Sequence, residues 1–126
     1  MPAKKVQNLP NINNQLSSRD LFGAFKRQLA KDFQQSNFPF DFVDALEPNY
    51  GHIHEKIAFV LQGSEKKKGF TVMQLFNRID ISEAQLKRYL SESSTENHFD
   101  VIAEIIIKRV LQKVVIKQHY KSNDAS

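Results

Sequence analysis

Residues 99–120 read FDVIAEIIIKRVLQKVVIKQHY, and the way this stretch folds decides the rest of the chain. Ile102, Ile106, Val110 and Val114 stand four apart, as do Ala103, Ile107, Leu111 and Val115, so on a helix they form two adjacent apolar columns. Asp100, Glu104, Lys108 and Gln112 make the opposing column, joined by Arg109, Lys113 and Lys117. The Ile and Val content favours a strand, because β-branched side chains suit a pleated surface. The polar residues decide for a helix: they keep the four-residue period, and Glu104 precedes Lys108 in the supportive i,i+4 order. At about 1.5 Å per residue the stretch runs roughly 33 Å, the width of a small domain. The expectation is therefore an all-α fold, a single small helical domain of about five helices around a long amphipathic C-terminal spine.

A chain of 126 residues is most simply one domain. It is long enough for a core without metal or disulfide staples, which are usually needed only below about 40 residues. Cysteine is absent, which excludes disulfide scaffolds, zinc ribbons and cysteine nucleophiles and fits a reducing compartment. No N-terminal run resembles a secretory signal, and no apolar segment approaches the roughly 20 residues that span a bilayer, so a soluble cytoplasmic protein is expected. Net charge is +4 but unevenly placed. Lys108, Arg109, Lys113, Lys117 and Lys121 follow one another without an acid between them, leaving 13 bases against 14 acids elsewhere.

Upstream, residues 1–17 carry two prolines, four asparagines and apolar residues without period, and read as a flexible or loosely docked arm. Residues 18–121 form the domain, and 122–126 a disordered tail. The first helix starts at Ser17 or Ser18, Ser17 with Asp20 resembling a capping box, and carries Leu21, Phe25, Leu29 and Phe33 to near Gln35. Phe38, Phe40, Phe42, Val43 and Leu46 read as core plugs around a short turn from Asp41. A second long helix begins at Asn49 or Tyr50, holds Ile53, Ile57, Val60 and Leu61, and stops at Gly63. The charged, glycine-bounded run at 63–69 reads as a loop. Thr71, stapled by Phe70, caps a short helix with Leu75, Phe76 and Ile79; after Asp80-Ile81-Ser82, a Ser82/Gln85 capping box opens another through Leu86, Tyr89 and Leu90.

The helix, three-residue turn and helix at 71–90 resembles a DNA-binding helix-turn-helix. That resemblance implies a second helix presenting Gln85, Lys87 and Arg88 to a major groove, with Lys66, Lys67 and Lys68 supplying phosphate contacts. Two positions depart from the pattern: Phe76 stands where a small residue lets the helices touch, and Asp80 where a turn glycine is common. Glu83 also opposes phosphate. Arg109, Lys113 and Lys117 extend the same nucleic-acid reading, although acids at the start and bases at the end of a helix also simply complement its dipole.

No constellation suggests catalysis, a cofactor or a metal. His52 and His54, two apart on a helix, point away from each other and do not share an ion. Asp41, Asp44 and Glu47 lack completing ligands and read as an acidic surface. The leading functional expectation is a non-enzymatic protein-interaction module, a homodimer included, because the spine's apolar stripe is wider than one neighbouring helix covers. The alternative is nucleic-acid binding through 71–90 and the basic C-terminal helix.

Overall fold

The computed structural model describes residues 12–64, 72–79, 81–92 and 98–125, and it is all-α: no strand occurs among the described residues. Helical residues 12–16 (α1) precede α2 (Arg19–Gln35), a 3-10 turn (Asp41–Ala45), α3 (Tyr50–Ser64), α4 (Val72–Arg78), α5 (Glu83–Glu92) and α6 (His98–Ala125). Side chains at 72, 73, 83, 86, 89, 90, 92, 98 and 120–125 are outside the description, and with them the expected core position Leu86. No helix among the described residues is long and apolar enough to cross a membrane.

The long C-terminal helix is the spine of the fold, with α3 and α2 as its main neighbours and α5 alongside. Its 28 residues span about 42 Å. Surroundings change along its length. Val101, Ile102, Ala103, Glu104, Ile105, Ile106 and Ile107 are seven consecutive buried residues, so this part of the helix has protein on every side. A helix wrapped in this way needs no polar face. Glu104, expected on a solvated column, is in fact only 4% exposed and takes a 2.9 Å ion pair from Lys108. The four-residue period was right about the helix; the wet face it implied is missing because neighbours close over that side too.

α2 and α3 are each opened by a polar side chain close in sequence. Ser18, rather than Ser17, caps α2 by accepting the Leu21 N–H, while the Ser17 hydroxyl donates back to the Asn14 carbonyl. At its other end α2 closes in a Schellman turn: Phe38 N–H reaches the Phe33 carbonyl at 2.9 Å and Asn37 N–H that of Gln34 at 3.1 Å. Asn37 takes the left-handed conformation this requires, at φ 65°. The reversal brings Phe38 onto Phe33, ring centres 5.7 Å apart, and Phe42 edge-on to the same ring at 5.5 Å. Phe38, Val43 and Leu46 are the expected plugs, whereas Phe40, counted with them, faces outward at 37% exposure. Asn49 caps α3 through the His52 N–H, and the helix passes Gly63 to end at a buried Ser64.

Residues 12–16 belong to the segment read as a flexible or loosely docked arm. They are helical, with Ile12 and Leu16 inside the core and the Asn13 side chain accepting the Tyr50 N–H at 3.0 Å. Leu21 is only partly buried; the other described members of the expected core, from Phe25 to Val114, are buried. The spine helix runs on to Ala125, past the expected domain end at 121.

Candidate functional site

Two regions carry the residues singled out by sequence. The first is the α4–α5 pair. Ile81 is buried in the turn, its N–H bound to the Phe76 carbonyl at 2.8 Å, and Phe76 is wholly buried as a core plug. The capping box is formed: Ser82 N–H donates to Gln85 Oε1 at 3.0 Å, and Gln85 N–H to Ser82 Oγ at 3.1 Å. The carbonyl end of the Gln85 side chain is thereby committed to opening α5. Lys87 and Arg88 are exposed on the same helix. Lys66, Lys67, Lys68, Phe70, Thr71, Asp80 and the Glu83 side chain lie outside the described residues.

The second region is the basic half of α6, which is not one uniform face. Arg109 is turned into the fold, its Nε donating to the Ile79 carbonyl at 3.2 Å and Nη1 to Gln112 Oε1 at 2.8 Å. A cation on the carbonyl just past α4 favours the negative end of that helix. Lys113 also points inward, 3.7 Å from Asp32 of α2. Lys117 donates to Gln28 Oε1 at 3.1 Å, and Gln118 to the Asp20 carbonyl at 3.4 Å. Along α2 these partners ascend as the α6 partners descend, so the two helices run antiparallel.

Asp32 sits at the inner end of this seam, buried between α2, α4 and α6. Its Oδ1 accepts from Gln28 Nε2 at 3.0 Å and faces Arg78 Nε at 3.9 Å; its Oδ2 faces Lys113 and has no hydrogen-bond partner. Burial pushes the carboxyl above its ordinary value, opposed by Lys113, by the Gln28 hydrogen bond and by Arg78. Gln28 thus joins a buried acid to a surface lysine. Beyond it, Ser36 is buried with no hydrogen-bond partner for its hydroxyl and borders a shallow polar cleft shared with Gln35, Asn37, Gln74, Asn77 and Arg78.

Between the two helices, outward of Asp32, lies an open cleft of about 240 Å³, floored by Ala24 and Val114 and walled by Arg27, Gln28, Lys31, Lys117 and Gln118. Three cations and two amides line it, and no acid does. Arg27 and Lys31 stand i,i+4 on α2, a like-charge spacing that costs an isolated helix about 0.2–0.5 kcal/mol. Neither has a carboxylate within ion-pair distance among the described residues. Sequence reasoning found Lys117 but missed Arg27, Lys31, Gln28 and Asp32. The available signal was the basic i,i+4 pair beside the Phe25/Leu29 stripe; its meeting with residue 117 depends on pairing distant parts of the chain.

The two histidines are occupied separately. His52 Nδ1 accepts the Glu47 N–H at 3.1 Å, while His54 Nε2 donates to the Asp100 carbonyl at 2.7 Å and its ring stacks on Tyr50. Comparison with protein-family models, with curated proteins and with solved structures finds no match for this chain.

Proposed function

We propose that this protein is a non-enzymatic helical interaction module that docks a protein partner, a second copy of the chain included, on the outer face of α3. The observation that carries this reading is Phe59, which is 76% exposed in a helix whose Ile53, Ile57 and Leu61 are wholly buried. Leaving a phenylalanine in water forgoes about 1.5–3 kcal/mol of burial. Aromatic anchors ringed by polar residues are the usual centre of a protein interface, and exposed Glu55, Lys56 and Gln62 supply such a rim. The width of the α6 stripe, which first suggested self-association, is taken up inside the chain by α3, α2 and α5, so the support for docking moves to α3. Cytoplasmic residence is part of the same proposal, supported by the absence of cysteine, which fits a reducing compartment.

Light scattering over a range of protein concentrations tests self-docking. Wild type should gain mass with concentration, and Phe59→Ser should stay monomeric with an unchanged urea midpoint. Equal behaviour of the two proteins would remove Phe59 from any self-contact. A second reading, nucleic-acid binding through 71–90, is supported by the exposure of Lys87 and Arg88 on a capped α5. It requires that a Lys87→Ala/Arg88→Ala protein lose affinity for labelled duplex DNA at unchanged stability.

A further inference from the structure

We propose that the cleft between α2 and α6, walled by Arg27, Lys31 and Lys117, is a binding site for a phosphate chain, read by its backbone charge.

Four features lead there. First, the cations come from two antiparallel helices, one pair on α2 and the third facing it from α6, so they surround the cleft instead of lying along one solvated ridge. Second, the acid nearest in the network, Asp32, is buried further along the seam and faces Lys113 and Arg78; the outer cations are left to an external anion. Third, Gln28 holds Lys117 against α2 while its other end is bound to Asp32, which fixes the lysine at the rim before any ligand arrives. Fourth, the cleft is open, and its lining from Ala24 to Lys31 covers about 10 Å of helix, room for a linear chain of two or three charged units. Its floor of Ala24 and Val114 has neither an aromatic platform for a base nor a deep pocket for a side chain. What remains to be recognised is closely repeated negative charge. Arginine offers a planar fork to a phosphate, and lysine a point charge. Nucleic-acid backbone and inorganic polyphosphate share this chemistry.

The test is fluorescence anisotropy with a labelled single-stranded oligonucleotide on the full chain, with the same oligonucleotide unlabelled, inorganic polyphosphate and polyglutamate as competitors. Three phosphate contacts predict a slope near −2 for log affinity against log salt, or a fall of about 20-fold between about 50 and 200 mM. Arg27→Ala/Lys31→Ala/Lys117→Ala should weaken binding at least tenfold, and Lys117→Ala alone should reduce the slope by about 0.7. Lys31→Glu, at an exposed position, gives the same loss without disturbing the Gln28 contact. Lys56→Ala on α3 should change affinity by less than twofold. Competition by polyphosphate but not by polyglutamate at matched charge supports the site; strong competition by the oligonucleotide alone also supports it and names nucleic acid as the source. Displacement by polyglutamate as effective as by polyphosphate overturns phosphate recognition. No binding at low salt, or loss in the Lys87/Arg88 variant with retention in the cleft variants, overturns the site.

Discussion

Along α6, residues 101–107 and residues 112–119 share one helix axis and have opposite surroundings. The first run is buried on every side, and its one carboxylate, Glu104, is paired with Lys108 four residues on. The second run has one side on α2 and the rest in water, so Val114 is buried while Gln112, Ile116 and Lys117 are exposed. Apolar packing fixes the first half. Polar contacts across the seam, Lys113 to Asp32, Lys117 to Gln28 and Gln118 to the Asp20 carbonyl, align the second. The lesson is that a basic, amphipathic C-terminal helix can be a core element at one end and the wall of an open cleft at the other.

Substitutions can break this contrast. Ile106→Ala, in the enclosed half, should cost about 2–5 kcal/mol in urea unfolding, because neighbours on all sides cannot collapse into the space. A loss below about 1 kcal/mol would mean that this half is as loosely held as the other.

Asp32→Asn sharpens the contrast at the seam, through pH. Burial raises the Asp32 pKa above its unfolded value of 3.8, so the folded state holds this proton more tightly than the unfolded chain. The group's contribution to stability is therefore full below 3.8 and is lost as pH rises through the folded value. Relative to wild type, the Asn variant should gain stability as pH increases from strongly acidic toward neutral, read from paired urea titrations. The opposite trend would show that Lys113 and Arg78 outweigh burial.

The smallest effect is expected at Ile116, 44% exposed on the open side, where Ile116→Ser should stay within about 0.5 kcal/mol.

The elements were legible where the signal is local. Four-residue spacing located the α2, α3 and α6 helices, and Ser82 with Gln85 announced the box that opens α5. Local patterns failed wherever a residue's role is set by something distant in sequence. Glu104 looks solvated because its own helix gives it polar column-mates, and only the neighbours packed over it make it a buried acid. Ile12 and Leu16 are spaced for a helical turn, yet prolines and asparagines around them hid it, and their value lies in the core they enter. Phe38 and Phe40 are the same residue type two apart; the Schellman turn carries Phe38 onto Phe33, whereas Phe40, at φ −132° and ψ 1° just before the 3-10 turn, faces outward. Of the candidate surfaces, the exposure of Lys87 and Arg88 followed from helix register, whereas the α2/α6 cleft needed the antiparallel pairing to become visible.

That pairing also constrains when the molecule can form. Two contacts of the seam join residues 89 and 98 positions apart, so most of the chain lies between their halves. Loops of this length close slowly, and the search begins only after both ends exist. During synthesis Phe25, Leu29 and Phe33 emerge long before α6 can cover them, an interval in which the half-made protein exposes a row of aromatic and aliphatic side chains. α6, made after every other described helix, is thus the one that completes the core, and a chain truncated before residue 101 would keep the earlier helix segments while lacking the centre they pack around.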